Sequence, residues 1–195
     1  MNVMASDMNY LKEKQNTTNS IADGFILSAG YFPEIMNDIG RFRVKTWRNE
    51  KGIDPIFFSK DSWIDEIDAN ARHWIITQNN IIVASARLSF HEFIEDVPYA
   101  NFLQLEHRLL FNNSPIASIN RLVVSPEFRG RGFAKLLDME RVKVAQEFGV
   151  NEIIAFPQLS RLESLEKLGF SLISQLKNIP EMPERPFFLM KLNMK

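Results

Sequence analysis

The sequence predicts an α/β (α+β) protein built on a mixed sheet with helices on its faces. Three observations carry this. From residue 118 onward the chain reads strand, loop, helix, strand, helix, strand. Upstream, two apolar runs at residues 73–76 and 81–84 flank Asn79-Asn80, the pattern of a tight hairpin. The 195 residues, 45% hydrophobic and 24% charged, suit one globular domain with a sizeable core.

The elements follow in order. Residues 1–24 are polar and poor in aliphatics, which predicts a mobile tail or a single amphipathic turn lying on a single domain over residues 25–195. Phe25, Ile26 and Leu27 mark a first strand. Pro33 opens a helix, with Ile35, Met36, Ile39, Phe42, Arg43 and Trp47 at helical spacing; Gly40 interrupts the pattern and Gly52 ends it. The acidic stretch 61–68 predicts an irregular or short helical connection. The second hairpin strand continues through Ala86, Leu88 and Phe90. Residues 93–111 are less regular, with a break at Pro98 and a helix near 103–110.

Residues 118–124 form a buried strand of β-branched and apolar residues, and Ser125-Pro126-Glu127 breaks it. A helix follows, with Phe133, Ala134, Leu137, Val144, Ala145 and Phe148 on one face. Arg141 falls in that stripe, and Gly149 stops the helix. A strand at 153–156, a helix at 159–168 capped by Gly169, and strands at 170–174 and 187–192 complete the chain.

Between the buried strand and its helix lies Arg129-Gly130-Arg131-Gly132-Phe133-Ala134. Glycines at this junction let backbone N–H groups turn inward, where they and the positive end of the helix hold a phosphate. Arginines add forked donors matched to phosphate oxygens. The spacing is neither the dinucleotide G-x-G-x-x-G nor a Walker A loop. It fits Arg/Gln-x-x-Gly-x-Gly/Ala, with Arg129, Gly132 and Ala134 in the fixed places; the alternative is an ordinary glycine turn with two solvated arginines.

This loop, after a strand ending Val-x-Pro, resembles the pyrophosphate loop of the GNAT (GCN5-related) N-acyltransferases. The segment Leu165-Glu166-Lys167-Leu168-Gly169-Phe170 is similar to that family's Tyr-x-Lys-x-Gly-Phe ending. In the N-terminal half, Arg41-Phe42-Arg43-Val44 with Trp47 and Glu50, the runs Asp65-Glu66-Ile67-Asp68 and Ala84-Ser85-Ala86-Arg87-Leu88, and Asn120-Arg121-Leu122 resemble landmarks of ElaA-type acetyltransferases. More distantly they resemble autoinducer and N-acyl amino acid synthases. The resemblance implies a mostly antiparallel central sheet flanked by helices on both faces.

It also implies acetyl-CoA or another acyl-CoA as cofactor, and acyl transfer to a primary amine of a small molecule or protein. Leu122, Val123 and Val124 would bind the pantetheine arm through their backbone. Arg129, Gly130, Arg131, Gly132, Phe133 and Ala134 would hold the diphosphate. The family's usual proton donor, a tyrosine, corresponds here to Leu165, which has no proton to give. Asn120, His73 and Ser160 are the catalytic candidates; for Ser160, solvation or bonding to its own backbone is the commoner fate. Glu92 and Glu95 are further candidates as bases acting through water, and Arg87 and Arg121 are expected to pair with Asp65, Glu66 or Asp68. Two other readings stand beside acetyl transfer: a long-chain acyltransferase, and a non-catalytic acyl-CoA binding module.

Net charge is −1, with no electrostatic footprint for nucleic acid or an anionic membrane. No cysteine is present, which excludes disulfides, thiolate metal sites and a cysteine nucleophile. His73, His91 and His107 show no metal-ligand spacing. The expectation is a cytoplasmic protein with no metal, and the sequence leaves open a homodimer paired through its last strands.

Overall fold

Eight strands form one sheet in the order β1-β2-β3-β4-β5-β6-β8-β7 in the computed structural model, which describes residues 16–111 and 115–194. The strands are β1 Thr17–Ile21, β2 Phe25–Gly30, β3 Arg72–Gln78, β4 Ile81–His91, β5 Ile116–Val124, β6 Glu152–Ala155, β7 Ser171–Leu176 and β8 Phe187–Asn193. All neighbours run antiparallel except β5 and β6. The helices are α1 Met36–Trp47, α2 Leu105–Arg108, α3 Phe133–Glu147 and α4 Leu162–Glu166.

One expectation is corrected at the start of the chain. Residues 17–24 do not belong to a tail: Thr17–Ile21 is an edge strand paired along its whole length with β2, and Ala22–Gly24 is a 3-10 turn between them. The strand's polar composition fits an outermost position, where hydrogen bonding to one neighbour replaces burial. Residues 1–15, the rest of the predicted tail, lie outside the described residues.

The predicted elements otherwise appear with shifted ends. Asn79 and Asn80 both adopt left-handed backbone (φ 50° and 62°), the turn that joins β3 to β4 without splaying them. Helix α1 begins after a 3-10 turn at Pro33–Ile35 and runs through Gly40. The glycine is there for contact: a Cβ would stand 2.1 Å from Ser62 Oγ, and Trp63 N donates to Gly40 O at 3.1 Å. The acidic connection contains the 3-10 turn Glu66–Ala69, capped reciprocally by Asp65 and Asp68.

Alternation along β4 divides the two faces of the sheet. Ala84, Ala86 and Leu88 join Leu137 and Ala145 of α3 in the main core, whereas Arg87 turns to Asp65, Asp68 and the α1 side. Helices therefore cover both faces. Leu165 and Phe170 close the main core at the α4 end, and a second core gathers Val97, Leu103, Ile154, Ile179, Met182 and Phe187 under the 93–111 segment.

His73 and His91, at the ends of β3 and β4, are both buried. Burial pulls each imidazole down to about 4; the Arg43 and Arg87 charges add to this at His73, and Arg87 adds to it at His91. An unfolded histidine takes a proton near pH 6.5, so between pH 6.5 and 4 the unfolded chain binds more protons than the folded one. Stability is full above about pH 6.5 and falls by about 1.4 kcal/mol per pH unit for each such histidine as pH drops toward 4. Denaturant midpoints measured from pH 7.5 to 4.5 should show this decline, and His91→Gln should make it shallower. A flat profile would contradict it.

Candidate active site

The site begins where β5 and β6 part. Their parallel register holds for four pairs, from Ile116↔Glu152 to Ile119↔Ala155. Beyond Ile119, β5 continues against β4 alone. Between Arg87↔Asn120 and Ser85↔Val123 it uses three steps to the partner's two, a bulge at Arg121 and Leu122. Arg121 takes φ +52°, rare for a non-glycine residue. On the other side β6 stops before Phe156-Pro157, and Pro157 has no N–H to continue a ladder. The edge of β5 from Asn120 to Val124 that faces away from β4 is left without a strand.

A cavity of about 1060 Å³ fills this parting. Leu122, Val123 and Val124 line one wall, and Phe156, Pro157 and Gln158 another. The glycine loop also lines it, and Tyr99, Ile179, Met182 and Phe187 add an apolar wall.

In the loop, Gly130 and Gly132 have φ +80° and +82°, and a Cβ at either would meet nothing within 4 Å. The requirement for glycine here is conformational, and the space above the loop is open. Phe128 and Arg129 N–H groups are satisfied by Ser125 and Pro126, and Leu136 N donates to Gly132 O. Among the described residues, no acceptor takes a hydrogen bond from the amides of residues 130–135, which span the loop and the first turn of the fifteen-residue helix α3.

Of the residues singled out for the cofactor, Leu122, Val123, Val124, Arg129, Gly130, Gly132, Phe133 and Ala134 all line the cavity. Arg131 does not; its guanidinium lies 5.7 Å from the rings of Phe25 and Phe128. Arg129 is tied down: Nε donates to Val124 O at 3.2 Å, and its head pairs with Glu50. Glu50 also meets Arg185 at 2.8 Å, and Arg185 reaches Lys51 O and Gln158 Oε1. Burial raises the Glu50 carboxyl, but these two arginines outweigh it and hold the group below the usual carboxylate range.

The catalytic candidates separate. Asn120 faces the cavity, but its amide is fully used: Oδ1 accepts from Arg87 Nε at 2.5 Å, and Nδ2 donates to Ser89 and Ser118. His73 lies outside the cavity lining, held by its Nε2 against Asp68 O at 3.1 Å and kept neutral by burial. That position does not serve a base. Ser160 is exposed on the cavity rim, and Ser164 bonds Arg161 O at 2.8 Å. Glu92 is exposed, and Glu95 pairs with Arg108; neither lines the cavity. Leu165 is on the wall.

Beneath the floor lies an ion cluster that the sequence foreshadowed. Asp68 holds Arg43 through both oxygens at 3.0 Å and meets Arg87 at 2.9 Å, and Asp65 bridges Arg87 at 2.5 Å and Arg121 at 2.6 Å. Burial lowers Arg43 to about 10, with Asp68 opposing the fall. Asp65 is raised by burial but held far below the carboxylate range by Arg87 and Arg121. The Arg121 guanidinium carbon lies over the Trp63 ring, 3.8 Å from its centroid. On the other side, Asp138 of α3 pairs with both Arg141 and Arg161, and Arg141 Nη1 donates to Arg87 O and Asn120 O at 3.1 Å, fastening α3 to the bulge.

Tyr99 is the site residue that sequence reasoning missed. It lines the cavity in a left-handed conformation (φ +67°), its ring edge-on to Phe156 and Phe187 at 5.9 and 5.2 Å. Nothing in the irregular 93–111 segment marked it.

The sequence matches the Acetyltransferase (GNAT) family over residues 32–170, more than half the chain. The chain belongs to the GNAT acetyltransferase family. A search of curated proteins finds no match to this sequence. Among solved structures it is similar to a putative N-acetyltransferase from Lactobacillus plantarum (TM-score 0.61, 14% identity, 89% of this chain and 100% of that one). It is also similar to the AHL synthase LasI (0.64, 11%, 88% and 90%) and to a GNAT family acetyltransferase from Elizabethkingia anophelis with acetyl-CoA bound (0.54, 12%, 88% and 99%). At these identities the likeness is one of fold. The mixed, mostly antiparallel sheet with helices on both faces is the GNAT fold.

Proposed function

We propose that this GNAT chain is an acyl-CoA-dependent N-acyltransferase that moves an acyl group, acetyl as the first reading, onto a primary amine of a small molecule or protein. One observation carries the proposal: the unpartnered amides at the head of α3 open onto the same cavity as the free edge of β5. The residues fit coenzyme A. A diphosphate suits backbone donors at a helix start over an open glycine cradle, and an amide-bearing arm suits an unpaired strand edge. When bound, the thioester supplies an acyl carbon activated for attack. The Elizabethkingia neighbour, solved with acetyl-CoA bound, is in keeping with this.

The transfer forms a C–N bond as the C–S bond breaks. The amine loses a proton and the sulfur gains one. Among the described residues no carboxylate or imidazole on the cavity wall is free to act as base, since Glu50 and Asp138 each meet two arginines. The amine is therefore drawn as its neutral form, and the rate rises with pH toward the amine's own pKa. For the proton to sulfur, the proposal assigns Tyr99. Burial pushes its phenol above the ordinary value of 10, so it stays protonated, and Leu165 offers nothing in its place.

A second reading is favoured by the apolar wall of Tyr99, Phe156, Ile179, Met182 and Phe187, which suits an acyl group longer than acetyl. Thermal-shift titrations and transfer rates measured across acyl-CoA chain lengths decide between the two: tighter binding and faster transfer with acetyl reject the longer donor.

Two outcomes test the proposal. Acetyl-CoA at a hundredfold excess over Kd stabilises by about 2.7 kcal/mol, a rise of roughly 5–10 °C in Tm. Gly132→Glu abolishes the rise. At φ +82° a side chain strains the backbone, so the unliganded variant loses about 1–2 kcal/mol but stays folded, its side chain entering open space. An equal rise in the variant would refute the loop's role. Tyr99→Phe lowers kcat by about a hundredfold, the low end of proton-transfer catalysis, with KM for acyl-CoA unchanged. An unaltered kcat would assign the proton to water.

A further inference from the structure

The charges around the cavity are unequal in one direction. Asp65 and Asp68 meet three arginines, Asp138 meets two, and Glu50 meets two. In each group the guanidinium groups outnumber the carboxylates by one. Each oxygen of these four carboxylates is bonded to an arginine. An acceptor recognised by its ammonium group would find no carboxylate to bind.

An anion finds the opposite. Arg87 and Arg121 both line the cavity, and each retains a buried donor with no partner among the described residues: Arg87 Nη2 and Arg121 Nε. The Arg87 side chain is 0% exposed. A buried charged donor without an acceptor is costly, and a cluster holding three guanidinium groups against two carboxylates carries one uncompensated positive charge. The backbone has been bent to produce this arrangement. The bulge and the positive φ of Arg121 carry its guanidinium onto Trp63 and Asp65.

We infer that the acceptor is an amine that also carries a carboxylate, such as an α-amino acid, and that Arg87 and Arg121 receive this carboxylate beside the parting of β5 and β6. The inference rests on the acyltransferase reading above. It also serves the chemistry, because surplus positive charge disfavours an ammonium group and so keeps the acceptor nitrogen neutral where no base is at hand.

The test uses the full chain with acetyl-CoA and follows thiol release with matched acceptors: leucine, phenylalanine and lysine, each against the amine left when its carboxylate is removed. Rates are compared per neutral amine. The expected result is a kcat/KM higher by roughly 10- to 100-fold for at least one carboxylate-bearing member, the range for charge-assisted hydrogen bonds. Arg121→Gln should reduce that preference to near unity by raising KM for the carboxylate-bearing member of each pair more than for its matched amine, while acetyl-CoA still raises the melting temperature. If Arg121→Gln fails to fold, the matched pairs on the wild-type chain decide alone.

Equal rates within every pair would overturn the inference and leave the acyltransferase standing. So would cofactor binding without turnover of any carboxylate-bearing amine. A fall in kcat in Arg121→Gln that is the same for both members of a pair would reassign Arg121 to the thioester oxygen and overturn it too. Absence of both the thermal shift and thiol release would remove the acyltransferase reading itself, and this inference with it.

Discussion

Two neighbouring strands that pair for four residues and then separate are the constraint on which the site depends. The separation has a cause on each side: a bulge that bends β5 at Arg121, and a proline that ends β6 at residue 157. A sheet interior normally satisfies every backbone group within its own ladders. Here the ladder is broken at its centre, so the free edge of β5 lies in a cavity walled by side chains instead of at the rim of the sheet. The glycine loop follows the freed strand directly, so the head of α3 is aimed at the same space. The glycine loop and a free strand edge thus line one continuous cavity.

Holding strands apart requires something rigid beneath them. Arg141 spans from α3 to the carbonyls of Arg87 and Asn120, and Asp65 and Asp68 hold Arg43, Arg87 and Arg121 from the opposite face. Buried ion pairs contribute little net stability but cost about 3–5 kcal/mol when one partner is removed. Their effect is geometric: each arginine can satisfy its partners in one arrangement only, and that arrangement keeps the bulge open. The same clusters leave guanidinium groups in excess over carboxylates around the cavity.

Much of this was legible in the sequence because it depends on local patterning. The Asn79-Asn80 turn, the run of β-branched residues into β5 and the glycine spacing before α3 each act within a few residues, and each was found where expected. Arg87 and Arg121 were expected to pair with the acidic connection, and do. Elements decided by tertiary contact were not legible. Thr17–Ile21 is polar and becomes a strand only because β2 offers it an edge. Arg131 has the composition of a phosphate ligand but stacks beside Phe25 and Phe128. His73 looked available for proton transfer until burial beneath Asp68 was visible. Tyr99 sits in a segment with no periodicity, and only the folded chain brings it to Phe156 and Phe187.

The central claim is that the amides of residues 130–134 bind a diphosphate. Amide-resolved NMR of the ¹⁵N-labelled chain tests it most directly, by titrating coenzyme A, inorganic pyrophosphate and pantetheine in parallel. The account predicts that the Gly130 and Gly132 N–H resonances shift with coenzyme A and pyrophosphate and remain in place with pantetheine, which moves residues 122–124 instead. Coenzyme A that perturbs the cavity wall while leaving both glycine amides unmoved would contradict it.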